Sequence, residues 1–280
     1  MSSAVDLDTS PGETDPATPR TRRRGDAGRT VIRGIGQTLI TFGLVCLLFV
    51  VYELWVTDLF TAREQSHLSQ EIHQQWKDAP TVEPAPAAPG QPAAPFTPTA
   101  IEVSVGQPFA VLHIPRLAGG DGYSRVVVEG VSQTQLAQGP GHYIGTATPG
   151  EQGNAAFAGH RVGRGSPFLD LDELRPGDPI IVETADAWFT YRVLGDPATG
   201  SFTGDPSGIP GQEIVLPTQL SVISPTPGGP AEGPATGAYL TLTTCHPKFS
   251  AHQRLIIHAR LDGAPLSKAA APNGPAALAG

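Results

Sequence analysis

Cysteine is almost absent from this chain, and the molecule has no surplus of positive charge. Only Cys46 and Cys245 occur, and the formal net charge is -8. Cys46 sits inside an apolar run and Cys245 far beyond it, so the two cannot reach each other across a membrane boundary and no disulfide framework is available. The acidic balance, with no basic stripe carrying interleaved aromatics, argues against nucleic acid as a partner. Internal repeats are also missing, and helical periodicity is weak after the first third of the chain.

Glycine and proline are plentiful instead, at 33 and 29 residues, which points to loops and linkers. Residues 1–34 are polar, with almost no large apolar side chains, and read as a disordered cytoplasmic tail. Residues 35–56 contain no Lys or Arg and one acid, Glu53, and are long enough to cross a bilayer. Arg20, Arg22, Arg23, Arg24, Arg29 and Arg33 all precede this run, which places the N-terminus inside and everything after Val56 outside. A cleaved signal peptide is the alternative, but the segment is too long and Glu-Leu-Trp-Val-Thr-Asp does not resemble a cleavage site.

Residues 57–77 carry Leu68, Ile72 and Trp76 at i, i+4, i+8, the pattern of a short juxtamembrane helix, read as solvated. Residues 78–99 form a Pro-rich linker; at ~3.1 Å per residue it spaces the following domain by up to roughly 60–70 Å. The folded domain spans 100–263, enough for one core. Its runs IEVSV, FAVLHI, RVVVE, AAFAG, PIIVET, WFTYRVL, EIVL, SVIS, YLTLTT and RLIIHARL are β-branched or aromatic-rich and bounded by turn residues, which predicts an all-β barrel or sandwich. SQTQLAQ and FLDLDEL are read as a helical turn or two each. Residues 264–280 read as a disordered Ala/Pro tail.

A single thiol in an oxidising compartment is either a small buried residue or a nucleophile. Cys245 ends the run Tyr239–Thr244, in which Thr241, Thr243 and Cys245 share one face and Leu240 and Leu242 the other. The loop HPKFSAHQ follows, and then Arg254 opens a second alternating run. If the two runs pair as a hairpin, Cys245 and Arg254 stand at adjacent strand ends. A thiol needs a base or an ion-pair partner. His160, in Ala-Gly-His-Arg, follows an apolar run and precedes a Gly-rich loop, and Arg161 there keeps the site polar. His246 adjoins the cysteine but alternation turns it to the other face. His142 and His258 are read as structural. Asp170, Asp172, Glu173 and Asp178 are read as solvated charges on a short helix and turn, and no metal or cofactor is assigned. Trp188, Phe189 and Tyr191 are read as core or sheet face.

AQGPGHYIGTATPGEQGNAAFAGHR, SPFLDLDELRPGDPIIVET and YLTLTTCHPKFSAHQRLIIHARL, in that order, resemble the sortase family of cysteine transpeptidases. The His-Pro after the cysteine and the Gly-His-Arg are most similar to class E sortases of actinobacteria. The resemblance implies an eight-stranded β-barrel with short helices, with Cys245 as nucleophile, His160 as general acid/base and Arg254 as the group that supports the oxyanion or positions substrate. It also implies a substrate contact for Thr244. The implied partners are surface proteins with a C-terminal LAxTG- or LPxTG-type sorting signal and a cell-wall peptide amine; a pilin-polymerising sortase with a lysine acceptor and a silent peptide-binding module are the rivals. With ordinary pKa values of about 8.5 and 6.5, under ~1 % of molecules hold thiolate and imidazolium together at pH 7.

Overall fold

The computed structural model describes residues 24–52, 57–78, 96–118 and 123–278. The chain divides into two units, at residue 50. The first holds helix α1, Arg24–Val51. From Gly28 to Val51 it is long and apolar enough to cross a membrane. Its threonines return their hydroxyls to the helix: Thr38 donates to the Gly34 carbonyl at 3.0 Å and Thr41 to the Gln37 carbonyl at 2.9 Å. Helix extends back to Arg24, so residues 24–34, expected to lack structure, do not. Adding turns to a helix already nucleated needs only one hydrogen bond per residue fixed.

The second unit is a barrel. Its strands are β1 Pro108–His113, β2 Ser124–Glu129, β3 Gly141–His142, β4 Gly153–Ala158, β5 Pro179–Glu183, β6 Ala187–Val193, β7 Gln212–Val215, β8 Ala238–His246, β9 Gln253–Leu261 and β10 Leu266–Ser267. The order is β10-β6-β5-β1-β2-β3-β4-β8-β9-β7, and β6 also pairs with β9. That last pairing closes eight strands into a ring, with β7 and β10 attached outside it. Closure removes the edges an open sheet would expose. Two of the pairings, β2–β3 and β4–β8, are parallel.

Alternation sets what fills the ring. Leu240, Leu242, Leu255, Ile257 and Ala259 point inward with Phe157, Phe189 and Tyr191. The buried Tyr191 hydroxyl accepts from the Gly150 amide at 2.7 Å, which satisfies a polar tip inside the core. Two expected strands are not strands. Residues 101–105 make no ladder, although Ile101 and Val103 pack on the core, so their alternation reports burial without pairing. SVIS lies at a 3-10 turn, Leu220–Ile223. The FLDLDEL run contains the 3-10 turn Leu171–Glu173, and SQTQLAQ contains the short helix α3, Gln133–Leu136.

The helix at Thr57–Asp78, α2, is not solvated. Leu68 and Ile72 are buried against the outward side chains Val111, Val126 and Val128 of β1 and β2, with Trp76 beside them. Burying each such side chain contributes roughly 1.5–3 kcal/mol. Gln65 adds a polar tie. Its Oε1 accepts from the Val126 amide at 2.8 Å, and its Nε2 donates to the carbonyls of Val126 at 3.2 Å and Gln138 at 2.7 Å. Because β3 meets β2 only at Val128 and Glu129, the side-chain amide of Gln65 takes the place of a missing strand residue.

The segment read as a disordered tail also docks. Strand β10 pairs with β6, Ala271 accepts from the Trp188 indole at 3.0 Å, and Lys268 donates to Glu183 at 2.7 Å. Lys268 lies 4.0 Å above the Trp76 ring. Small residues cannot build a core of their own, but they can complete an existing sheet edge. Most of the Pro-rich linker, 79–95, falls outside the described residues. Beyond it, Thr99 donates its amide and hydroxyl to Asp186 at 2.8 and 2.7 Å. Both flanks are therefore pinned to the barrel, and the segment joins two points on one body.

Candidate active site

The hairpin of β8 and β9 places Cys245 directly opposite Arg254, and Arg254 opposite Val215 of β7. On its other side β8 runs parallel to β4, with Ala158 level with Thr243. One step further, the Gly159 amide donates to the Thr243 carbonyl at 3.1 Å and the Thr244 hydroxyl donates to the Gly159 carbonyl at 2.8 Å. The ladder stops there; His160 lies two residues past its last β4 position and Cys245 two residues past Thr243. Thus Cys245 and Arg254 face each other on β8 and β9, and His160 follows the end of neighbouring β4.

Cys245 is a free, half-buried cysteine. Thr244 is buried, its hydroxyl spent on Gly159, so it supports the β4–β8 junction. Arg254 donates from Nη1 to the carbonyls of Ala251 and Gln253, each at 3.0 Å, and among the described residues no ion pair joins it to a carboxylate. Its charge is therefore not neutralised by an acid.

Four other histidines of the barrel unit have side-chain partners. His113 is bonded to Glu183 at 2.9 Å, His142 to Glu129 at 2.6 Å, His258 to Thr241 at 2.8 Å, and His246 to Arg161 at 3.2 Å. The buried Nε2 of His160 has no hydrogen-bond partner among the described residues. Burial, helped by the nearby positive charge of Arg164, pushes its pKa below the ordinary histidine value. On the same face of β8, the Tyr143 hydroxyl lies 3.1 Å from the Thr243 hydroxyl.

The acidic cluster is not simply solvated. Asp178 pairs with Arg116 and caps the Arg175 amide at 2.8 Å. Asp172 pairs with Arg161 at 2.7 Å and Asp170 with Lys248 at 3.0 Å. Reading the residues in order missed Arg161 as a buried group and missed α2 as part of the domain. The Gly-His-Arg run drew attention to Arg161, but nothing local says that a guanidinium is enclosed.

A closed eight-stranded barrel carrying these strand-end groups defines a class. The sequence model of the sortase domain matches residues 112–262, and this chain belongs to the sortase family, whose members are transpeptidases. Within it the chain is similar to sortases of class E. It is 34% identical over 250 residues to sortase SrtE1 of Streptomyces coelicolor, covering 85% of this chain but 59% of that protein. It is 30% identical over 247 residues to SrtE2 of the same organism, covering 86% and 85%. The SrtF sortase from Corynebacterium diphtheriae superposes with a TM-score of 0.57 at 38% identity, covering 67% of this chain and 98% of that one.

Proposed function

We propose that this protein is a membrane-anchored sortase that cuts a C-terminal sorting signal of LAxTG or LPxTG type between Thr and Gly and joins the Thr carbonyl to a cell-wall peptide amine. The Cys245 thiolate attacks the Thr carbonyl carbon. The tetrahedral oxyanion forms beside the Arg254 guanidinium, which stays charged at any working pH. As the C–N bond breaks, His160 as imidazolium hands its proton to the leaving glycine nitrogen, leaving a thioester on Cys245. The acceptor amine then loses a proton to His160 and displaces the thiolate. Helix α1 serves as the anchor, with the arginine-rich end inside and the barrel outside.

The observation that supports this reading is Cys245 facing Arg254 on β8 and β9, with His160 just past the end of neighbouring β4 and its buried imidazole nitrogen without a partner among the described residues. The test uses the full chain in detergent with LAxTG and LPxTG peptides and an excess of a glycine-type amine, read by mass. Products cut between Thr and Gly and joined to the amine, absent in Cys245→Ala, are expected. Alkylation of Cys245 without any such product would mean a nucleophile for another substrate.

A further inference from the structure

Arg161 follows His160 in the chain but is enclosed, with 3% of its surface exposed. A guanidinium is rarely buried unless its donors are used. Here two other segments, the turn at 169–172 and the end of β8, use them. Nε donates to the Leu169 carbonyl at 3.3 Å, Nη2 meets Asp172 at 2.7 Å, and Nη1 donates to Nδ1 of His246 at 3.2 Å. His246 is the residue after Cys245. A single planar side chain therefore ties the segment bearing His160 to the segment bearing Cys245, and both to the turn at 169–172. Lys248 makes a second tie to that turn through Asp170 at 3.0 Å.

The place of the tie is informative. The β4–β8 ladder ends at Ala158 and Thr243. The Thr244 hydroxyl bond to Gly159 comes just before the candidate pair, and the Arg161–His246 bond comes just after it. His160 and Cys245 are bracketed by one bond on each side, where the regular backbone ladder has stopped. For Nη1 to donate, Nδ1 of His246 must accept, so the bond selects the tautomer with its proton on Nε2.

We propose that Arg161 and His246 form a clamp that sets the spacing of His160 and Cys245. This positioning role rests on the functional reading given above. Its consequence is kinetic, because an acid/base group displaced by about 1 Å lowers turnover by about a hundredfold.

Full-length protein in detergent carries the test, with Arg161→Lys, His246→Leu and His246→Asn. The Asn Oδ1 stands where Nδ1 stood and can accept the same bond. Peptide transpeptidation gives kcat and KM, thermal melting checks folding, and dibromoacetone, which bridges a thiol and an imidazole only when they are close, reads the Cys245–His160 spacing. The expected result is a kcat lower by about ten- to hundredfold in Arg161→Lys and His246→Leu, with KM within about twofold. His246→Asn should recover most of the turnover, and the crosslink yield should follow kcat. The clamp is overturned if folded His246→Leu turns over like the unaltered protein. It is equally overturned if folded His246→Asn falls as far as His246→Leu, or if only KM moves. Should Arg161→Lys fail to fold, the two His246 variants decide. If the unaltered protein forms no transpeptidation product, the functional reading fails, and the crosslink alone judges the clamp: loss in His246→Leu restored in His246→Asn supports it, and equal yields overturn it.

Discussion

The same face of the same strands carries two clusters that behave oppositely. At one end Asn154, Thr241 and His258 are sealed, each at most 1% exposed. The Thr241 hydroxyl donates to Asn154 at 2.7 Å and lies 2.8 Å from Nδ1 of His258, whose other nitrogen is 3.2 Å from Glu213. Asn154 donates to the carbonyls of Val222 and Ser224, so the turn after β7 caps the cluster. At the other end His160, Cys245 and Arg254 are half-buried, and the imidazole has an unpartnered nitrogen. The contrast separates a histidine whose partners are supplied under a covering turn from one whose buried Nε2 has no partner among the described residues.

The largest expected effect breaks the open end alone. Cys245→Ala should abolish thioester formation, and His160→Gln should lower kcat by about 10²–10⁴-fold. Arg254→Gln should lower it by about 10²–10³-fold if the guanidinium supports the oxyanion. In each case the melting temperature should stay near that of the unaltered protein, since no sealed hydrogen bond is lost. A large fall in melting temperature in His160→Gln would erase the distinction between the two ends.

Next in size is a test of what both ends stand on. A chain beginning at Phe96 lacks α2 and exposes Val111, Val126 and Val128. It should be less stable than one beginning at Thr57 by several kcal/mol, about 1.5–3 for each of Leu68 and Ile72, measured by urea unfolding. Equal stability would make α2 a dispensable cover. Gln65→Ala should lose about 1–3 kcal/mol, because the Val126 and Gln138 backbone groups lose their partner.

The sealed end should answer in stability. His258→Leu leaves Thr241 and Glu213 short of a partner, which costs about 1–3 kcal/mol and lowers the melting temperature by several degrees, while kcat of the folded fraction stays put. A kcat loss as deep as that of His160→Gln would merge the two clusters into one site.

The smallest effect sharpens the electrostatics of the open end. Arg164 is exposed and helps hold the His160 pKa down. Arg164→Gln should raise that pKa. More imidazolium is then present at a given pH, so the acid limb of the kcat/KM profile moves to higher pH and its maximum rises. High salt should shrink the difference, as screening weakens a charge at the surface. An acid limb that moves to lower pH would show that Arg164 does not act on His160 through charge.

Much of the open end was legible in the residues. The alternation in Tyr239–Cys245 and Arg254–Leu261 contained the hairpin register, because one face had to be leucine and isoleucine, and a slip by one residue would have turned them all outward. His160 was harder; its Ala-Gly-His-Arg setting after an apolar run made it the favoured base among the histidines, and the resemblance then implied its role. Strand β3 was illegible because two residues carry no period. Strand β10 was hidden for a different reason: an Ala/Pro composition gives no sign that a sheet edge waits for it. Arg161 was read as keeping the site polar, but nothing in its neighbours shows that the guanidinium is enclosed.

By itself the sequence determined the apolar helix, the inward and outward faces of the longer strands and the pairing of Cys245 with Arg254, since these follow from periodicities of a few residues. Tertiary structure alone decided that α2 is part of the barrel wall, that Gln65 substitutes for a strand and that the buried Nε2 of His160 has no partner among the described residues. Each of those depends on which distant group arrives to meet a side chain. A local pattern states what a residue can bury or bond, and only the closed barrel supplies the partner.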